Sequence, residues 1–153
     1  MNFRVLITGS RDWDDLGMIT KELSALAVEW YNAFNKDRPP LLDIQPKTPG
    51  PFIVVHGDCP TGADKIAKEW AETHNYPISH LPLPAEWTRH DAGCPDWHRG
   101  LAKCNRAGFR RNAEMVKLGA DVCYAFIKNG SKGATMTADL AEKAGIPVKR
   151  FIA

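Results

Sequence analysis

Four short stretches of this 153-residue chain join a glycine or a cationic side chain to the expected start of a helix: Gly9-Ser10-Arg11, His56 to Asp64, Arg110-Arg111-Asn112 and Asn129 to Thr135. Unpaired backbone N–H groups and the helix dipole suit such ends to anions. One turn of this kind carries little weight; several in one chain predict a phosphate-bearing or nucleotide-like ligand. The expected contacts are Gly9, Ser10, Arg11, His56, Gly57, Gly62, Ala63, Asp64, Arg111, Asn112, Lys132, Gly133, Ala134 and Thr135. The two standard nucleotide motifs are absent. Gly57 and Gly62 have P-loop spacing, but Ala63-Asp64 stands where Lys-Ser/Thr is required. Gly9 has no glycine two residues later, so the G-x-G-x-x-G fingerprint also fails. A simple NTPase or dehydrogenase is disfavoured.

Each of these side chains has a structural reading beside the ligand reading. Arg11 can grip a phosphate with its planar fork or pair with Asp64 to lock two loops together. Asp64 stands three residues after Thr61, which makes it a capping-box partner or an acceptor for a ribose hydroxyl. His56 is a satisfied buried imidazole or a ligand donor. Arg111 and Asn112 are expected to open a helix, where a cation is unfavourable unless an anion lies near. Trp13, Trp87 and Trp97 flank the candidate loops, and core or lid packing is favoured over a base-stacking platform.

A second chemistry is suggested by His90, Cys94, His98 and Cys104, with three, three and five residues between them. Nitrogen and sulfur donors at such spacings are compatible with a tetrahedral structural zinc site. The alternative is a pair of reduced cysteines in a loop with surface histidines. Cys59 is a reserve ligand or a small buried residue.

The elements that must hold these residues follow from apolar patterning. Phe3 to Thr8, Phe52 to His56, Val122 to Ile127 and Val148 to Ile152 read as strands, with a Pro-broken extended segment from Tyr76 to Leu83 as an edge. Leu16, Ile19, Leu23, Leu26, Trp30 and Phe34 recur at helical steps behind a cap at Asp14 or Asp15. Ala63, Ile66, Ala67, Trp70 and Ala71 form a second apolar helix face. Phe109 to Leu118 and Thr135 to Ala144 are the remaining helices, each stopped by a glycine. Residues 84–108 look irregular and include a Cys/His-containing insert at 88–106; five prolines mark a surface connection at 35–51. Strands alternating with helices predict one α/β domain over 1–153, an open parallel sheet of about five strands with helices on both faces.

Composition narrows the partners. The net charge is +2, from 20 Lys plus Arg against 18 Asp plus Glu, which argues against nucleic acid as a whole-chain partner. No stretch reaches the ~20 apolar residues of a membrane span, and the apolar run after Met1 is too short for a signal peptide. The chain is expected to be cytoplasmic, with its four cysteines reduced or metal-bound. A homo-oligomer is left open.

Taken together, Val5-Leu6-Ile7-Thr8-Gly9-Ser10-Arg11, Val55 to Asp64, Pro84-Ala85-Glu86-Trp87, Ala107 to Asn112 and Gly133-Ala134-Thr135 resemble the YspA/YpsA-related SLOG family of bacteria and phages. The resemblance spans the chain except 35–51 and 91–104. It implies a Rossmann-like fold that holds a nucleotide or nucleotide-derived small molecule, as a sensor or sequestering protein. Relatives in the wider superfamily include phosphoribohydrolases, which implies hydrolysis of nucleotide N-glycosidic bonds as an alternative, and DNA-processing proteins, which implies single-stranded nucleic acid as another. Those hydrolases carry P-G-G-x-G-T followed closely by Glu. Here Ala134 intervenes between Gly133 and Thr135, and Thr137-Ala138 stand where the acid is wanted. Because an oxocarbenium-like state needs a nearby carboxylate, Glu86 is the substitute catalytic candidate.

Overall fold

The computed structural model describes residues 2–36 and 50–153. The expected Pro-rich connection therefore falls, over residues 37–49, outside the described residues. Ten elements follow one another: β1 (Phe3–Gly9), α1 (Leu16–Asn35), β2 (Phe52–His56), α2 (Gly62–Glu72), β3 (Ile78–Pro82), α3 (Asp96–Arg99), α4 (Ala107–Leu118), β4 (Val122–Ile127), α5 (Lys132–Lys143) and β5 (Val148–Ile152). All strand pairs are parallel, in the order β3-β2-β1-β4-β5. This is the expected α/β, Rossmann-like sheet. Chain order reverses at β1: β2 and β3 build outwards on one side, β4 and β5 on the other. A crevice opens beyond the carboxyl ends of strands at such a switch point.

The strands are apolar on both faces because both are covered. Val5 and Ile7 of β1 pack with Ile19 and Leu23 of α1 and Ala63, Ala67 and Trp70 of α2. Leu6, between them, points the other way, to a cluster with Met115 and Val116 of α4 and Ala141 of α5. Phe52 is fully buried and sits among Phe3, Trp30 and Trp70, with ring centroids at 5.4, 5.3 and 6.1 Å. The cap of α1 is Asp15, whose carboxylate accepts the Met18 N–H at 2.9 Å, while Asp14 pairs with Lys128. Leu16 and Phe34, at the two ends of the expected apolar face, are exposed.

Three local expectations are corrected. α4 starts at Ala107, two residues before the expected Phe109, so Arg111 and Asn112 lie in its second turn rather than at its opening. α5 starts at Lys132, capped by the Ser131 hydroxyl, so the expected loop at 132–135 is the first turn of the helix. Within the irregular stretch, Pro95 precedes a short four-residue helix, α3. No helix among the described residues is long and apolar enough to cross a membrane.

The aromatic box around Phe52 gives a direct check on this packing. Phe52→Ala is expected to lower unfolding stability by about 3–5 kcal/mol, since it removes a ring from a closed cluster; urea unfolding followed by far-UV circular dichroism measures it.

Candidate functional site

A cleft of about 380 Å3 opens at the switch point. Its floor is the end of β1, Thr8 and Gly9, and one side is the first turn of α5, at Ser131, Gly133 and Ala134. The opposite side is a stripe of α4, Gly108, Arg111, Asn112 and Met115, spaced at three and four residues so that they share one helix face. Arg11, Trp87, Phe109 and Asn105 stand around it, with Cys59 and Asp64 at the α2 side. A second cavity of about 330 Å3 adjoins it and shares Arg11, Cys59, Trp87, Asn105 and Arg111.

Arg111 is the buried cation of this site. Its Nη1 donates to the carbonyls of Gly57 and, at 3.3 Å, Leu83, and its Nε donates to Asn112 Oδ1 at 2.8 Å. A side chain at Gly57 would lie 2.4 Å from Arg111 Nη1, so glycine there is a condition of the cation's entry. Because Asn112 Oδ1 faces Arg111, its Nδ2 is left as a donor on the side of Gly133. Asp64 is buried nearby. Burial pushes its carboxyl up from the usual range, against the thiol and backbone hydrogen bonds of Cys59 and the charge of Arg111. Burial and the neighbouring Asp64 push the Cys59 thiol up as well. The capping box is not formed. Thr61 makes no side-chain cap bond, and Asp64 instead accepts the Cys59 N–H at 3.4 Å, turned inward by that loop.

Several expected contacts are spent on the protein itself. Ser10 is buried and stitches β1 to β4: its hydroxyl donates to Lys128 O at 3.1 Å and accepts Lys128 N–H at 2.7 Å. The Ala63 N–H donates to Ser10 O at 3.2 Å. Gly62, at φ +74°, lets that junction close, since a Cβ there would lie 2.2 Å from Ser10 O. His56 is the satisfied buried imidazole of its two readings. Its Nδ1 accepts Asp58 N–H at 3.0 Å, so its Nε2–H faces His80 Nδ1 at 2.9 Å, and His80 Nε2 lies 3.5 Å from Glu72. Arg11 does not pair with Asp64; its guanidinium lies over the Trp87 ring, 5.3 Å from the centroid. Lys132 and Thr135 are exposed and line neither cavity. Glu86 points away from both cavities, exposed and bonded to Arg89 at 2.7 Å.

At the start of α5 the Ala134 and Thr135 amides are satisfied by Ser131, at 3.5 and 3.1 Å. The Lys132 and Gly133 amides, which precede them, have no acceptor among the described residues. The cleft therefore presents the open Gly133 N–H at the start of α5, the Asn112 Nδ2, the Arg11 guanidinium and an indole face, while Arg111 lines the α4 side with its guanidinium engaged by Gly57, Leu83 and Asn112.

The four Cys/His residues converge. The candidate ligand atoms of His90, Cys94, His98 and Cys104 all lie within 4.8 Å of one another. The two sulfurs are 3.7 Å apart, close to the ~3.8 Å edge of a tetrahedron built on zinc–sulfur bonds of about 2.3 Å. His90 Nε2 faces the carbonyl of Leu101 at 2.9 Å and must donate to it, which leaves Nδ1 with a bare lone pair. That Nδ1 is buried and has no hydrogen-bond partner among the described residues. His98 Nε2 accepts the Asn105 N–H at 2.9 Å, so its lone pair is engaged by the backbone and ligation through it would replace that bond. Arg110 approaches Cys104 Sγ at 3.2 Å, the Asp91 N–H approaches Cys94 Sγ at 3.5 Å, and the Cys94 thiol donates to Asp91 Oδ1 at 3.3 Å. Cys59 lines the cleft and takes no part; Cys123 is buried in β4, its thiol pushed up to about 12.

The Gene 61 protein of Mycobacterium phage D29 is 36% identical to this chain over 151 residues, covering 97% of this chain and 95% of the phage protein. The chain belongs to the Gene 61 protein family. No family model matches it, and no solved structure does.

In this member of the Gene 61 family, sequence reasoning missed Thr8, Asn105, Gly108, Phe109, Met115 and Ser131 as cleft residues. The stripe at 108, 111, 112 and 115 was open to detection by helical periodicity once α4 was started at 107. Asn105 carries no such signal, because its place depends on how the insert folds.

His56 yields a pH prediction. Burial, then the neighbouring His80, lowers it from 6.5 to about 4. The unfolded chain therefore binds more protons between those values, so stability falls as pH drops from 6.5 towards 4. The expected loss is on the order of 3 kcal/mol, and His56→Gln should flatten that part of the stability–pH curve measured by urea unfolding.

Proposed function

We propose that the switch-point cleft binds a phosphate-bearing, nucleotide-derived small molecule without turning it over, as a sensor or sequestering protein of the SLOG type. The observation that carries this reading is the pairing, in one cleft, of the open Gly133 amide at the start of α5 with a cation stacked on an indole. An anion is stabilised by the helix end and its free N–H groups. A planar group finds the Trp87 ring and the Arg11 guanidinium at the mouth. The size, about 380 Å3, lies in the range of small-molecule sites.

Binding is favoured over N-glycosidic hydrolysis by the placement of the acids. Glu86 is outside the cleft, and the single carboxylate among the described residues lining it is Asp64, which the Cys59 amide already engages. Equilibrium dialysis with AMP, NAD and ADP-ribose tests the reading. At least one is expected to bind, and Arg11→Ala, an exposed change, should weaken it on the order of tenfold without lowering stability. No free base should appear on prolonged incubation. Base release, or no binding by any of the three, contradicts the proposal.

We further infer that the Cys2His2 cluster holds zinc. The orphaned His90 Nδ1 and the 3.7 Å sulfur separation support this, and four protein ligands make a closed, structural site. Elemental analysis of the purified chain should find about one zinc per protein, and Cys104→Ser should lose it.

A further inference from the structure

Residues 84–106 have no apolar core of their own. The apolar residues gathered there are Cys94, Cys104 and Ala107 with Ala85 against them, while Trp97 and Leu101, the large apolar side chains of the insert, are 73% and 44% exposed. Its secondary structure is a four-residue helix. A segment of this length without a core does not hold one conformation by burial alone. A metal ion would supply the missing centre, since metal–ligand free energy acts as folding free energy.

The same cluster is wired to the cleft. The Cys104 N–H donates to the carbonyl of Trp87, the residue whose ring carries Arg11 at the cleft mouth. Asn105, next in the chain, lines the cleft. Arg110 contacts Cys104 Sγ, Asp91 at 3.2 Å and the carbonyl of Arg89, and it neighbours Arg111 on α4. We propose that the metal centre is a positioning site for ligand binding: it fixes the Trp87–Asn105 wall of the cleft, and loss of metal opens that wall while leaving the sheet folded. The proposal rests on the zinc reading above and adds a coupling between the two sites. The sheet and α1, α2 and α5 owe nothing to the cluster, because their packing runs through the two main apolar clusters.

Hydrogen–deuterium exchange on the full chain, as purified, after stripping with a chelator, and after refilling with zinc, tests it without any ligand. Exchange over 85–91 and 104–106 is expected to rise on the order of tenfold or more on stripping and return on refilling, with β1 and β4 unchanged. Equal exchange in the stripped and refilled forms overturns the proposal, as does loss of protection throughout the sheet, which would make the metal a requirement of the whole fold. Failure of the chain to take up zinc overturns it too. His90→Gln, which keeps both cysteines, should reproduce the stripped pattern. Dialysis of AMP, NAD and ADP-ribose against the same three preparations adds the coupling: affinity for whichever binds should fall on the order of tenfold on stripping. A zinc-loaded protein that binds none of the three counts against the ligand reading, while the exchange result still decides the positioning role of the metal.

Discussion

The site depends on one buried cation. Arg111 runs from α4 across the carboxyl ends of β2 and β3, where it holds the carbonyls of Gly57 and Leu83 and orients Asn112. A guanidinium carries five donors and stays charged, so burying it requires acceptors on several sides. The turns after β2 and β3 and the adjacent Asn112 supply them, with Asp64 buried nearby. The cation thereby clamps α4, which forms one side of the cleft, to the strand ends.

This arrangement separates an engaged charge from an exposed one. Arg111 is engaged with the protein, whereas Arg11 is exposed, stacked on Trp87 and without a carboxylate partner among the described residues. Ser10, Ala63 and His56 are likewise committed to closing the floor. What remains open is a short list: the Gly133 amide of α5, the Asn112 amide and the Arg11–Trp87 mouth. Such a surface suits an anion attached to a flat ring better than it suits acid–base work on a sugar carbon, for which a free, well-placed carboxylate is needed.

Much of the architecture was legible in the sequence because both sheet faces are buried. Uninterrupted runs such as Val122 to Ile127 and Phe52 to His56 leave little choice but an inner parallel strand, and the glycines after them mark the sheet's functional edge. The cluster of His90, Cys94, His98 and Cys104 was legible from donor type and spacing. Side-chain direction was not. Spacing made Asp64 a capping partner, but the fold turned it towards Cys59; chain proximity put Glu86 near the cleft, but it bonds Arg89 in solvent. Starting α4 two residues late left Gly108 outside the helix, although it faces the cleft together with Arg111, Asn112 and Met115.

Two-dimensional amide NMR of the zinc-loaded protein, titrated in turn with AMP, NAD and ADP-ribose, tests residue by residue whether an anionic guest sits between α4 and α5 at the end of β1. Saturable shifts are expected with at least one of the three in the backbone signals of Gly9, Gly133 and Ala134, in the Asn112 side-chain amide and in the Trp87 indole. Unchanged signals with all three, or shifts confined to surfaces away from this crevice, would contradict the proposed site.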